Sequence, residues 1–107
     1  MKNDSVRGRL DLLVLAVLAG GPAHGYRVIQ ELRRRSEGTF DLPEGTVYPA
    51  LHRLERTGLL TSTWSPGPAR RRRVYRLTPG GRSALEQERS EWVLLARAVA
   101  AVLEGAA

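Results

Sequence analysis

The chain has 107 residues, enough for one domain with a modest core. It contains no cysteine, which excludes disulfides and thiolate metal sites, and its two histidines, His24 and His52, have no partners at metal-ligand spacing. The net charge of +6, from 17 basic and 11 acidic side chains, favours a polyanionic partner; because 16 of the 17 cations are arginine, their placement says more than their number.

No segment reaches the ~18 consecutive apolar residues that a membrane span needs. The start, Met1-Lys-Asn-Asp-Ser, is polar and lacks the apolar core of a signal peptide. A soluble cytoplasmic protein without metal, cofactor or membrane contact is the expectation.

The first predicted helix centres on Leu10 to Leu18. Leu10, Leu13, Val14, Val17 and Leu18 form one stripe, while Leu12 and Leu15 face elsewhere. A helix apolar on most sides must be covered on most sides, so a second subunit is expected to cover Leu12 and Leu15. Gly20-Gly-Pro22 ends the helix. A second helix is predicted from about Ala23 to Arg35, with Tyr26, Ile29 and Leu32 as core positions and Arg27, Arg33, Arg34 and Arg35 exposed. Ser36 to Thr39 reads as a loop, and Asp41-Leu-Pro43 as an extended entry, since the residue before proline avoids helix geometry.

The third predicted helix carries the most information. Val47, Ala50, Leu51 and Leu54 fall at i, i+3, i+4 and i+7 and make an apolar back. Tyr48, Pro49, His52, Arg53 and Arg56 point the other way, and Gly58 stops the helix. A front of Tyr, His and Arg suits a helix laid in the major groove of DNA, where side chains donate to base edges and phosphates. An ordinary solvated charged face has the same composition.

Leu59 to Trp64 is rich in β-formers, Ser65-Pro-Gly-Pro68 is a turn, and Arg70 to Leu77 reads as the returning strand, with Arg73, Tyr75 and Leu77 on one face. Four consecutive arginines thus sit on a hairpin directly after a basic helix. Trp64 is expected to pack against the domain. The last helix starts with Thr78 as N-cap and Pro79 near the first helical position, and runs to about Leu103. Its ~26 residues would span roughly 39 Å, more than this core needs. Leu85, Trp92, Ala96, Val99 and Leu103 recur at heptad spacing, a seam that calls for the same helix of a second copy.

Helix, helix, helix, arginine-rich hairpin and long final helix is the order of a winged helix-turn-helix with a dimerisation arm, mainly α with a small β-hairpin. The expected division is residues 1–77 as the DNA-binding domain and 78–107 as the dimerisation helix. Across about residues 6 to 103 the chain resembles the PadR family of bacterial transcriptional regulators. The matching strings are Gly8-Arg-Leu-Asp-Leu-Leu-Val-Leu, His24-Gly-Tyr, Gly45-Thr-Val-Tyr-Pro-Ala-Leu-His-Arg-Leu-Glu-Arg-Thr-Gly-Leu and Arg71-Arg-Arg-Val-Tyr-Arg-Leu-Thr-Pro-Gly-Gly.

The resemblance implies a homodimeric repressor on an inverted-repeat operator of double-stranded DNA, released by a small aromatic effector, in the compact branch of the family. Thr46, Tyr48, Pro49, His52 and Arg53 would face the groove, with His52 and Arg53 at base edges. Tyr26 and Arg27 would touch the backbone, and Arg70, Arg71, Arg72 and Arg73 would anchor the wing. Trp92 matches an aromatic wall of the effector pocket by its place after Gly81, and Asp11, Leu15, Glu88 and Ala96 are further candidates there. Asp11 and Glu88 are acidic, which suits a planar cation or a closed pocket. Pro43 stands where a capping Asn or Ser is usual. Leu12, Leu15, Leu85, Trp92, Val99 and Leu103 are the candidate dimer contacts. The competing reading is a winged-helix adaptor for protein or RNA with no effector, since fold alone does not fix function. No Ser–His–Asp, Cys–His or carboxylate pair has spacing that supports an enzyme.

Overall fold

The computed structural model describes residues 3–68 and 71–105, with side chains from residue 9 onward. Four helices and a small sheet follow in the order α1 (Asn3–Ala19), β1 (Ala23–His24), α2 (Gly25–Arg35), α3 (Glu44–Arg56), β2 (Leu60–Trp64), β3 (Arg73–Leu77) and α4 (Pro79–Gly105). The fold is mainly helical, with a small antiparallel sheet and a long last helix.

Helix α1 is the centre of the packing and touches α2, α3, α4 and β3. Its buried arc is therefore wider than a single stripe. Leu10, Val14, Val17 and Leu18 are buried, and so is Leu15, at 1% exposure. Leu15 thus lies inside this chain's own core and offers no surface to a second subunit or an effector, while Leu13 is only half-buried. The cause is the number of neighbours: elements pack on several sides of α1, so both arcs of the helix find cover within one chain.

Helix α2 begins two residues later than predicted, because Ala23 and His24 pair with the edge of β3 as a short strand. Its core positions are Val28 and Leu32, with Ile29 half-buried. Tyr26, expected in the core, is half-exposed on the outer face. Helix α3 buries Val47, Ala50, Leu51 and Leu54. Its N-cap is Pro43, which makes no side-chain cap bond. At its other end Gly58, at φ 83°, closes the helix: the Leu59 N–H donates to the Leu54 carbonyl at 3.0 Å and the Gly58 N–H to that of Glu55 at 3.1 Å. That double return is the ending a left-handed glycine permits.

The sheet order is β1-β3-β2, all antiparallel. In the β2–β3 hairpin, Leu60 faces Leu77, Ser62 faces Tyr75 and Trp64 faces Arg73. Directly opposite residues share a face, and Leu60 and Tyr75 put that face on the core. Trp64, by contrast, is 50% exposed, so the expectation that it packs against the domain does not hold. Among the described residues, the Trp64 ring is met by the arginines described below.

Helix α4 is capped by Thr78, whose Oγ1 accepts from the Gly81 N–H at 3.0 Å and donates to the Gly58 carbonyl at 2.6 Å. Gly81 and Leu85 are buried. Leu85, at 3% exposure, belongs to this chain's core, so the exposed seam starts only at Trp92. Past Leu95 α4 is mostly exposed, and the chain measures 60 × 28 × 21 Å.

Candidate nucleic-acid interface

The outward face of α3 follows from its buried one. Opposite Val47, Ala50, Leu51 and Leu54, the helix exposes Gly45, Pro49, His52 and Arg56, with Arg53 on its flank. Thr46 and Tyr48 are half-buried. Arg56 completes the row begun by Pro49 and His52 at helical spacing, and it was absent from the residues predicted to touch DNA.

Tyr48 lies across the start of α2. A Cβ added to Gly25 would come within 2.6 Å of its ring. The Gly of His24-Gly-Tyr is thus needed for α2 and α3 to approach each other. Around this contact His24, Tyr26, Glu44, Tyr48, Tyr75 and Arg71 to Arg73 line a recess of about 430 Å³. The start of α2, the first turns of α3 and the wing arginines meet there. Arg70 lies outside the described residues.

His24 holds the start of α2. Its Nδ1 accepts from the Arg27 N–H at 3.2 Å, and its Nε2 stands 2.8 Å from an Arg72 guanidinium nitrogen. A neutral imidazole accepts at only one nitrogen, so these two contacts compete. Partial burial, then Arg72 and Arg27, hold its pKa below the ordinary 6.5.

Several further arginines are held by acids to different degrees. Arg53 is hydrogen-bonded to the Asp11 carboxylate of α1. Its guanidinium is therefore drawn to the flank of α3, with one Nη engaged by Asp11. Arg34 and Arg35 bond Glu31 at 2.9 and 3.0 Å, and Arg27 approaches it at 3.9 Å. Bonds from Arg34, outweighing desolvation, bring the Glu31 pKa down to about 2. On the wing, Ser62 donates to Glu55 of α3 and accepts from Arg73 Nε at 2.8 Å, so recognition helix and wing are tied side chain to side chain. The Arg53–Asp11 pair joins residues 42 apart in sequence, and no local pattern announces it.

A second, smaller hollow of about 180 Å³ lies between α1 and α4, lined by Arg9, Leu12, Glu88, Glu91, Trp92 and Leu95. The Arg9 guanidinium lies 5.4 Å from the Trp92 ring centre. One Glu88 carboxylate oxygen is buried without a hydrogen-bond partner among the described residues. Burial, then the charges of Asp11 and Glu91, push the Glu88 pKa up. Of the predicted effector residues only Glu88 and Trp92 line this hollow. Asp11 is engaged by Arg53, Leu15 is in the core, and Ala96 is half-buried outside the lining. No metal-binding cluster occurs among the described residues, and no helix there is long and apolar enough to cross a membrane.

The model of the transcriptional regulator PadR-like family matches residues 14–87. The chain belongs to that family. It is 43% identical over 93 residues to the transcriptional regulator Rv3488 of Mycobacterium tuberculosis, covering 87% of this chain and 84% of that protein. Among solved structures, it is similar to a transcriptional regulator from Clostridium thermocellum, with a TM-score of 0.85, 31% identity and coverage of 91% and 95%. A PadR-family transcriptional regulator from Eggerthella lenta gives a TM-score of 0.82 at 35% identity, covering 94% and 87%. The protein is a DNA-binding transcriptional regulator, not an enzyme.

Proposed function

We propose that this PadR-family regulator is a cytoplasmic homodimeric repressor that places α3 in successive major grooves of an inverted-repeat operator. The observation that carries this reading is the common recess at which the start of α2, the start of α3 and the wing arginines converge. A groove-reading helix, a backbone-contacting helix start and a phosphate-binding wing must act on one duplex, and here they share one surface. Thr46, Pro49, His52 and Arg56 would face the groove, with Tyr48 and Tyr26 at its phosphate edge beside Arg27. Arg53, held by Asp11, would reach a base edge from the flank of α3. Arg71 to Arg73, with Arg70, would bind phosphate.

Dimerisation would run through α4, whose exposed apolar residues from Trp92 to Leu103 have no cover in one chain. The same interface would complete the Trp92 hollow, which at about 180 Å³ is smaller than most ligand pockets within one chain. Its acids Glu88 and Glu91 favour a planar aromatic cation over a phenolate as the effector that releases DNA.

Binding to operator and mixed-sequence duplexes tests the reading. His52→Ala with Arg56→Ala should cost about 1–3 kcal/mol on the operator and little on mixed sequence. Replacing Arg71 to Arg73 by Ala should weaken both and flatten the salt dependence. Equal loss on every sequence from the α3 substitutions would remove the base-reading role.

A further inference from the structure

The wing carries a side chain that neither its hairpin role nor the core explains. Trp64 is the last residue of β2, opposite Arg73 in the ladder. It lies on the face that, at the base of the hairpin, places Leu60 and Tyr75 in the core. A large aromatic ring at a core-facing position with no core beneath it is the kind of exposure that asks for a reason. Two guanidinium groups occupy its surface: Arg71 at 4.7 Å from the ring centre and Arg73 at 5.1 Å. The backbone holds this arrangement in place, because the ladder continues past Trp64 with the Ser65 N–H donating to the Arg72 carbonyl at 2.7 Å. The Arg72 N–H donates to the Ser65 hydroxyl at 3.0 Å.

A guanidinium lying on an aromatic face keeps its in-plane N–H groups free. Those are the groups that bind a phosphate. The indole therefore limits the rotamers of two arginines without consuming their donors. The same strand face is tied to α3 through Ser62 and Glu55, so the two arginines stand on the side of the wing that adjoins the recognition helix. A chain of +6 net charge supplies the complementarity for a polyanion.

We propose that Trp64 is a DNA-contact residue, a plate that presents Arg71 and Arg73 to the phosphates bordering the groove entered by α3 and packs its exposed edge on the adjoining deoxyribose. This rests on the DNA-binding reading of α3 and the wing and adds to it a residue and a mode of contact. It also assigns each described wing arginine an anchor: Trp64 for Arg71, His24 for Arg72, and Trp64 with Ser62 for Arg73.

The test uses the full chain and a fluorescently labelled mixed-sequence duplex at low salt. Trp64→Ala should weaken binding about tenfold, because the freed Arg71 and Arg73 side chains must then be ordered on binding, while Trp64→Phe, which keeps an aromatic face, should stay within about twofold of wild type. Duplex should change the tryptophan emission of the wild type but not of Trp64→Phe, since Trp64 and Trp92 are the two tryptophans and Trp92 lies on α4. Wild-type affinity in Trp64→Ala would overturn the proposal, and so would wild-type emission unmoved by saturating duplex, a measurement that stands even if Trp64→Ala fails to fold. Failure of the wild type itself to bind any duplex would instead remove the DNA reading of the whole face.

Discussion

The two ends of α4 differ in composition and meet opposite surroundings: the mostly polar start is packed on the body, and the apolar end is bare. At its start Gly81 is pressed so closely on β2's entry that a Cβ there would lie 2.1 Å from the Leu59 carbonyl oxygen, and Leu85 is sealed in the core. At its far end Leu94 and Val102 are 72% and 73% exposed, and Trp92, Val99 and Leu103 lie open beside them. Arg97 is the one charge between Trp92 and Leu103. A helix this apolar at one end and this bare there is finished for folding at its start and unfinished at its tip. The difference separates residues that hold one chain together from residues that need another chain.

That contrast breaks most visibly at Val99. Val99→Glu would bury one carboxylate per copy in the proposed seam, on the order of 3 kcal/mol or more each without a partner. Sedimentation at low micromolar concentration should show the wild type at twice 11.8 kDa and the variant as a folded or partly folded monomer. A wild-type monomer that melts independently of concentration would show that the tip of α4 needs no second copy.

At the start of the helix the expected losses are intrachain. In Gly81→Ala the obstacle is backbone rather than a yielding side chain, so the cost should reach about 3 kcal/mol, the upper part of the overpacking range. Leu85→Ala should cost about 2–5 kcal/mol through the cavity it leaves. Denaturation of a form held monomeric by Val99→Glu is the informative measurement. Both losses should persist there, whereas an effect that vanished in the monomer would move Gly81 or Leu85 to the interface side of the comparison.

The same contrast explains what could be read before the structure. Element order, the apolar back of α3, the Gly58 ending and the Thr78 cap are set by local periodicity and turn chemistry, and all of them are in the fold. Features made by distant neighbours were not legible. Ala23 and His24 form a strand only because β3 offers an edge. Leu85 looks like a seam residue by spacing and Leu15 like a residue facing a second subunit, yet both are buried in this chain's own core. Val28 rather than Tyr26 fills the core because Val28 and Leu32, one turn apart, are the residues α2 turns inward, while Tyr26 falls on the exposed side. Arg53 looks free on a helical wheel, but its partner Asp11 is 42 residues away. The arginines on Trp64 depended on register, which the sequence pattern left open at the tip of the wing.

The smallest effect lies between the two ends, at Glu88. One of its oxygens is buried without a partner among the described residues, and burial, Asp11 and Glu91 raise its pKa above 4.5 against the opposing charge of Arg9. A folded-state value above the unfolded one means that the fold binds this proton more tightly. The resulting stability is fully present below pH 4.5 and is lost as pH rises through the raised value, so at neutral pH the ionised group is a burden on the fold. Glu88→Gln should therefore raise the melting temperature at pH 7 by no more than a few degrees, with a difference that shrinks toward zero below about pH 4, where the wild-type carboxyl is protonated. If the second copy closes over the Trp92 hollow, burial deepens, and the gain should be larger in the dimer than in a Val99→Glu monomer. Equal gains in both would place Glu88 with the start of α4, in the part of the helix that one chain completes alone. A loss of stability in Glu88→Gln would mean that the ionised carboxylate is engaged, with the partner chain as the source of its missing donor.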